Sequence, residues 1–225
     1  MRPRSRVDTG VRPYRENCWQ RGRAVEEQVS IQGAGVTLEG VLVPGKVPGG
    51  VVITHPHPLF GGSMANNVVW TATRAFVDRG MAALRFNFRG VGRSTGAYGG
   101  GVEEAADVAA ALAFLKSRTS GPYYVVGYSF GAFVAGRALL DGLDADGAIF
   151  IAPPIAFMDL GFLPQVPGLR LIAVGDRDEL CPLESLEALM AESQTTAEIR
   201  VIQGADHFFG GIEDKLFRML RDFPL

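Results

Sequence analysis

Cysteine and histidine are both scarce in this sequence of 225 residues. The two cysteines, Cys18 and Cys181, lie far apart, which excludes a disulfide-rich scaffold and favours a reducing compartment. We therefore expect a cytoplasmic protein. Long hydrophobic runs are absent as well, because glycine, proline or a charged residue interrupts each apolar segment before it reaches the length of a membrane span. No association with a membrane is expected.

The chain also lacks an excess of one charge. Its formal net charge is −2, with acidic and basic residues interspersed, and no basic patch alternates with aromatic residues. A nucleic-acid partner is therefore not expected. The first 24 residues are rich in arginine but lack the apolar stretch of a secretory signal. We expect residues 1–24 to be a flexible leader, or alternatively a partner-binding arm, and residues 25–225 to form one domain.

What the sequence does contain is a regular alternation of strand and helix patterns. Segments 25–31 and 36–43 alternate in polarity around Gly33-Ala34-Gly35 and predict an antiparallel hairpin. Short apolar runs predict strands buried on both faces at 50–54, 81–88, 123–127, 147–152, 169–175 and 198–202. Helical patterns lie between them at 67–79, 102–118, 130–140, 184–192 and 212–222. This order predicts an α/β fold with a mostly parallel sheet and helices on both faces.

The connections between these elements are short. Only the segment 152–169, which contains four prolines, is long enough to form part of a lid. No segment is long enough for a separate cap domain, so we expect an open site.

The strongest local signal is Gly127-Tyr128-Ser129-Phe130-Gly131, which follows an apolar strand and begins a helix. A serine on such a tight turn has strained backbone angles, and side chains on its neighbours would collide, so glycine is needed on both sides. The alternative, a serine that only caps the helix, would not need both glycines. We predict that Ser129 is a nucleophile and that the backbone N–H of Phe130 stabilises an oxyanion.

A serine hydroxyl needs a base within hydrogen-bond reach to act as a nucleophile at neutral pH. The sequence has only three histidines, and His55 and His57 precede Ser129. His207 follows the last predicted strand and therefore lies at the same edge of the sheet as Ser129. We predict that His207 is the base.

The acid that orients the base is expected on the same edge. Asp178 follows the predicted strand 169–175, and we prefer it to Asp176. Asp206 adjoins His207, and we expect it to cap the loop, because adjacent side chains diverge. Asp159 lies beyond two consecutive prolines and is the least favoured.

Together these residues resemble the α/β-hydrolase superfamily, and more closely its small, capless bacterial members with an H-P-H-P-x-x-G-G loop. The matching stretches are 55–64, 85–94, 127–131, 175–180 and 205–209. The resemblance implies an α/β-hydrolase fold in which Ser129, Asp178 and His207 form a triad in that chain order. It also implies a second oxyanion donor in the loop 55–62, for which we name Leu59, with His57 as the alternative.

Other interpretations of the motifs are weaker. His55 and His57 could be a metal pair, but a metal site needs further ligands, so we expect their rings to hold the loop backbone. The loop at Gly90 does not open directly into a helix, as a dinucleotide-binding turn would. We expect Arg89 and Arg93 to brace that loop, although they could instead be solvated or bind an anionic group of the substrate. Cys181 and the two phenylalanines at 208 and 209 are expected to pack, although those phenylalanines could instead line an acyl pocket.

The predicted function is hydrolysis of small or short-chain carboxylic esters through an acyl-enzyme intermediate, without a cofactor or metal. The expected partner is a small acyl substrate. A thioesterase, amidase or acyltransferase would use the same triad, and these alternatives stay open at this point. A binding module that keeps the fold without catalysis is the remaining alternative.

Overall fold

The computed structural model describes residues 25–191, 193 and 195–225, so the predicted leader at 1–24 lies outside the described residues. The strands are β1 Glu27–Gln32, β2 Thr37–Val43, β3 Gly50–Thr54, β4 Ala82–Phe86, β5 Tyr123–Tyr128, β6 Gly147–Ile151, β7 Leu169–Gly175 and β8 Glu198–Ile202. The α-helices are α1 Asn67–Asp78, α2 Glu104–Arg118, α3 Phe130–Leu140, α4 Leu183–Met190 and α5 Glu213–Asp222. Short 3₁₀ turns occur at Pro58–Phe60 and Leu163–Gln165.

The strands of the described chain form one sheet in the order β1-β2-β4-β3-β5-β6-β7-β8. β1 and β4 each pair with β2 in antiparallel orientation, and the other pairs are parallel. The predicted hairpin is confirmed, and its turn closes with a 2.9 Å hydrogen bond from the Gly33 N–H to the Val36 carbonyl. The predicted α/β architecture is therefore confirmed.

Helices cover both faces of the sheet and give it two cores. Val125 of β5 packs on the face that carries α2, α3 and α4, whereas Val126 packs on the face that carries α1 and α5. Each residue of β3 and β4 is buried, as expected for strands covered on both sides. This double burial explains why the sequence shows continuous apolar runs rather than alternation in polarity.

Helix α2 begins two residues later than the predicted start at 102. The carboxylate of Glu104 accepts hydrogen bonds from the N–H groups of Gly99 and Gly101, each at 2.7 Å. The preceding residues are thereby held in a loop. The predicted start of α2 was wrong because the spacing of apolar residues carries no information about a hydrogen bond between the Glu104 side chain and the preceding backbone.

The proline-rich segment 152–169 is fixed to the body of the domain. Three of its own side chains, those of Leu160, Leu163 and Val166, are buried in the core of the domain. Phe157 of the same segment remains exposed. None of the helices in the described ranges has the combination of length and apolar character needed to cross a membrane.

Candidate active site

Ser129 lies at the carboxyl end of β5, on the turn into α3. Its backbone has φ 54° and ψ −121°, a conformation that is strained for a residue with a side chain. A Cβ on Gly127 would lie 2.5 Å from the Cα of Ala132, and a Cβ on Gly131 would lie 2.4 Å from Oγ1 of Thr54. Both flanking positions therefore have no room for a side chain, which is the steric reason for the two glycines.

The structure brings the three predicted residues into one row of hydrogen bonds. Nε2 of His207 lies 2.9 Å from Oγ of Ser129, and Nδ1 lies 2.9 Å from both carboxylate oxygens of Asp178. Because a carboxylate only accepts, Nδ1 carries the proton, and Nε2 of the neutral ring is left to accept from the serine hydroxyl. The three residues are 4–6% exposed, so water screens these bonds only weakly.

The carboxylate of Asp178 is oriented by the chain that follows it. Oδ1 accepts hydrogen bonds from the N–H groups of Leu180 at 2.9 Å and Cys181 at 2.8 Å. Asp176 instead accepts from the N–H of Gly204 and joins two loops. Of the two aspartates in this segment, Asp178 is thus the one that contacts the imidazole.

The loop that carries His207 is fixed from several directions. Oδ1 of Asp206 accepts from the N–H groups of the next two residues after His207, as the predicted capping role requires. The hydroxyl of Tyr128 donates to the His207 carbonyl at 2.9 Å, and Nδ2 of Asn67 donates to the Phe208 carbonyl at 2.9 Å. Sequence reasoning missed Tyr128 and Asn67. Tyr128 lies inside the serine motif, but at a position where the motif specifies no residue type, and nothing local indicates Asn67.

Phe130 opens α3, so its N–H has no partner inside the helix and none among the other described residues. The prediction for Leu59 needs correction, because its N–H is already donated to Nδ1 of His57 at 3.2 Å. The N–H groups of Phe60 and Gly62 are donated to the His57 carbonyl. The N–H of His57 itself has no acceptor within the described ranges, so it stays open where the N–H of Leu59 does not.

Both histidines of the loop are held in neutral form by their contacts. Nε2 of His55 accepts from the Phe88 N–H at 3.0 Å, so its proton is on Nδ1, which donates to the Pro56 carbonyl at 2.7 Å. Burial lowers the pKa of His55 to about 4. Because Nδ1 of His57 accepts from Leu59, its Nε2–H donates to the Tyr98 hydroxyl at 3.1 Å. Burial also lowers the pKa of His57.

Across the described part of the chain, no group of three His, Cys, Asp or Glu side chains is placed to hold a metal ion. His55 and His57 use their ring nitrogens on the protein itself, as the backbone-holding interpretation proposed.

The two arginines of the loop after β4 brace it, as predicted. Arg89 binds the buried Asp107 through Nε and Nη2 and also contacts Glu103. Arg93 donates from its N–H and its guanidinium to Glu39 at 2.8 and 2.9 Å. The guanidiniums are therefore occupied by carboxylates of the fold.

The remaining predicted residues divide between packing and exposure. Cys181 is fully buried, and burial raises the pKa of its thiol, so it packs as a small apolar residue. Phe209 is also fully buried, whereas Phe208 is 63% exposed next to the site.

A mostly parallel sheet with a strained serine turn at the carboxyl end of a central strand defines the class of α/β hydrolases. A family model described as serine aminopeptidase S33 matches residues 61–170. The chain is 31% identical to an uncharacterised protein of Rickettsia prowazekii over 87% of each chain. An α/β serine hydrolase homologue from Coxiella burnetii is 35% identical, with a TM-score of 0.80, over 87% of this chain and 95% of that one.

A third relative is the protein XC6422 of Xanthomonas campestris, described as an α/β serine hydrolase without a lid. It is 29% identical, with a TM-score of 0.78, over 87% of this chain and 92% of that one. The present chain belongs to the α/β-hydrolase superfamily.

Proposed function

We propose that this protein hydrolyses carboxylic esters with a small or short acyl group through a covalent acyl-enzyme, with Ser129 as the nucleophile. The observation that carries the proposal is the row of hydrogen bonds from Ser129 through His207 to Asp178, with 2.9 Å between the serine oxygen and the base. This is the separation that proton transfer from a nucleophile to a general base requires.

In the proposed reaction, Oγ of Ser129 attacks the ester carbonyl carbon while Nε2 of His207 takes the hydroxyl proton. Asp178 stabilises the imidazolium and keeps the proton on Nδ1. The tetrahedral intermediate collapses as His207 returns the proton to the departing alcohol oxygen. His207 then takes a proton from a water molecule as its oxygen attacks the acyl carbon. The second tetrahedral intermediate releases the carboxylic acid as His207 returns the proton to Oγ of Ser129.

Negative charge on the former carbonyl oxygen is stabilised by the open N–H groups of Phe130 and His57. Phe130 lies at the N-terminus of α3, where the helix dipole favours negative charge. A Cβ on Gly131 would lie 2.9 Å from the His55 carbonyl, so the loop that carries His57 lies directly against this helix end. Two fixed N–H groups from separate segments are the usual form of an oxyanion hole. None of these steps needs a cofactor.

The small size of the acyl group is supported by the short connections around the site. The segment 152–169 packs on the core and does not form a second domain within the described residues. Without a cap, a long acyl chain would find little surface to cover it. Hydrolysis rates on p-nitrophenyl esters should therefore fall beyond short chains. A steady rise of rate with chain length would contradict this part of the proposal.

A fluorophosphonate probe tests the nucleophile. We expect the folded protein to carry one adduct on Ser129, located by mass spectrometry of the peptides, and Ser129→Ala to lose both label and ester hydrolysis. Ser117→Ala is the control, because that exposed hydroxyl at the end of α2 contacts only a backbone carbonyl. Absence of an adduct on Ser129 in folded protein would overturn the proposal.

The same residues could act on thioesters or amides, because the chemistry of the triad is shared. Matched substrates with one acyl group and an alcohol, thiol or amine leaving group separate these activities. We expect the oxygen ester to have the highest kcat/KM.

A further inference from the structure

Exposed phenylalanines are concentrated at one edge of the described structure. Phe60, Phe157 and Phe208 are 74%, 56% and 63% exposed, and they are the exposed phenylalanines of the described residues. Each lies in a loop after the carboxyl end of a strand, which is the edge where Ser129 lies. Single exposed apolar side chains are ordinary, but a group beside a reaction centre indicates a surface that a ligand covers.

Phe60 and Phe157 meet across the end of the central strand. Phe60 follows β3 and Phe157 follows β6, and these two strands pair with opposite sides of β5. The two rings are nevertheless 5.8 Å apart between centroids, at 69° to each other. The pair therefore spans the carboxyl end of β5, where the turn with Ser129 begins.

His57 connects this pair to the reaction centre. Its ring lies 4.8 Å from that of Phe60, 6.4 Å from that of Phe157 and 4.7 Å from that of Phe130. Tyr98 completes the set at 5.2 Å from His57. Phe130 and His57 carry the open N–H groups, and the half-buried ring of His57 connects the buried ring of Phe130 with the exposed Phe60–Phe157 pair.

Both exposed rings stand on backbone that is fixed by hydrogen bonds. The N–H of Phe60 donates to the His57 carbonyl at 3.1 Å. The N–H of Phe157 donates to the Pro154 carbonyl at 2.9 Å, and the neighbouring Ala156 donates to the Leu180 carbonyl at 3.0 Å. An exposed ring on a fixed turn loses little entropy when a ligand covers it, which suits a binding surface.

We propose that the surface formed by Phe60, Phe157 and His57 binds an aromatic ring in the acyl half of the ester. This proposal rests on the proposed esterase function. His207 must protonate the alcohol oxygen, so the alcohol half lies towards His207 and Phe208. The Phe60–Phe157 pair adjoins His57, whose neighbours Phe130 and Tyr98 pack on the opposite face of the sheet from Phe209 of the His207 loop. The acyl half, directed away from His207, therefore lies towards this pair. Edge-to-face rings at these separations favour a further flat ring over a saturated one.

Three small esters test the proposal with the ring as the variable. Methyl phenylacetate and benzyl acetate are isomers that carry the phenyl ring on the acyl and alcohol side respectively. Methyl cyclohexylacetate replaces the flat ring with a saturated one. We expect kcat/KM, followed by acid release in a pH-stat, to be about fivefold higher for methyl phenylacetate than for methyl cyclohexylacetate.

Substitution of Phe157 distinguishes ring contacts from general apolar contact. Phe157→Leu should lower kcat/KM for methyl phenylacetate about fivefold, and Phe157→Ala about tenfold, with benzyl acetate changed less than twofold. Phe157→Tyr should retain the preference. Leu140→Ala is the matched control, because Leu140 is also an exposed apolar residue but lies at the far end of α3 from Ser129.

The outcomes separate this inference from the function on which it rests. If Ser129 takes the fluorophosphonate and all three esters are hydrolysed, but the Phe157 variants lower them equally, the aromatic acyl site is wrong and the esterase stands. The aromatic acyl site is also wrong, and the esterase stands, if the Phe157 variants lower kcat/KM for benzyl acetate alone. If Ser129 is not labelled and no ester is hydrolysed, the proposed function itself fails.

Discussion

The hydroxyl of Tyr128 donates a hydrogen bond to the backbone carbonyl of His207 at 2.9 Å. The tyrosine precedes the proposed nucleophile, and the carbonyl belongs to the proposed base. Burial and the charge of Asp178 raise the pKa of Tyr128, so its hydroxyl stays protonated and remains a donor. One buried bond thus fixes the distance between the loop after β8 and the turn after β5.

Tyr128→Phe is expected to loosen this link without removing a proposed catalytic group. The His207 carbonyl would be left buried without this partner, at a cost of about 1 kcal/mol in the free energy of unfolding. We expect kcat for ester hydrolysis to fall by roughly tenfold with little change in KM, because the position of the base changes and substrate contacts do not. Thermal unfolding and steady-state kinetics measure the two effects.

Tyr123→Phe is the control for that variant. Tyr123 begins the same strand, and its hydroxyl also donates to a backbone carbonyl, that of Thr119, at 2.7 Å. Its removal should lower stability by a similar amount and leave kcat unchanged. Equal losses of kcat in both variants would show that Tyr128 acts only through stability.

Asp178→Asn tests which aspartate supports the base. The substitution leaves an oxygen for the backbone N–H groups but allows the His207 ring to take the wrong tautomer, so kcat should fall by about three to four orders of magnitude. Asp176→Asn keeps an acceptor for Gly204 and should retain activity within about twofold. If the two variants lost activity equally, the assignment of Asp178 would be wrong.

The two glycines around Ser129 should not tolerate even a methyl group. In Gly131→Ala the added Cβ would lie 2.4 Å from Oγ1 of Thr54 and 2.9 Å from the His55 carbonyl oxygen. We expect a loss of about 3 kcal/mol or more in stability, with loss of fluorophosphonate labelling, because backbone cannot move aside cheaply. Chemical denaturation and labelling measure both.

Gly210→Ala is the matched control for Gly131→Ala. Gly210 follows the His207 loop, and a Cβ there would have no heavy atom within 4 Å. This variant should keep wild-type labelling and stability within about 0.5 kcal/mol. A similar loss in both variants would contradict the steric explanation.

Buried, neutral His55 should make the fold sensitive to acid. Its pKa is lowered to about 4 in the folded protein, whereas an unfolded histidine titrates near 6.5. Because the pKa of His55 is lower in the folded state, protons bind preferentially to the unfolded chain as the pH falls. The stability that the neutral ring contributes is therefore fully present above about pH 6.5 and is lost between about pH 6.5 and about pH 4. The loss could reach about 3 kcal/mol.

His55→Gln is the comparison for the acid effect. The variant should be less stable at pH 7, because the contacts with Phe88 and Pro56 are disturbed. Its unfolding free energy should change much less between pH 6.5 and 4 than that of the wild type. The unfolding free energy is measured by urea titration at several pH values. If it fell with pH as steeply in the variant as in the wild type, groups other than His55 would cause the acid sensitivity.

Much of the architecture was accessible from local patterns. Strands buried on both faces appear as continuous apolar runs, so β3 and β7 were predicted with their observed bounds. The bounds of β8 were also predicted, but its expected burial on both faces was wrong, because β8 is the edge strand and only its last residue is buried. The bounds of α2 were not, because the side chain of Glu104 binds the preceding loop. Such a bond depends on one rotamer and leaves no periodic signal.

By itself, the sequence determined the alternation of strands and helices and the serine turn, and it led to the prediction that His207 is the base. A glycine that would collide with backbone restricts the residue type at that position, and three histidines leave few candidates for a base. The tertiary structure decided which N–H groups stay open, since Leu59 gives its N–H to His57. It also decided that Phe60 and Phe157 meet. These two outcomes depend on hydrogen-bond competition within a loop and on contact between distant segments, and neither is encoded in local spacing.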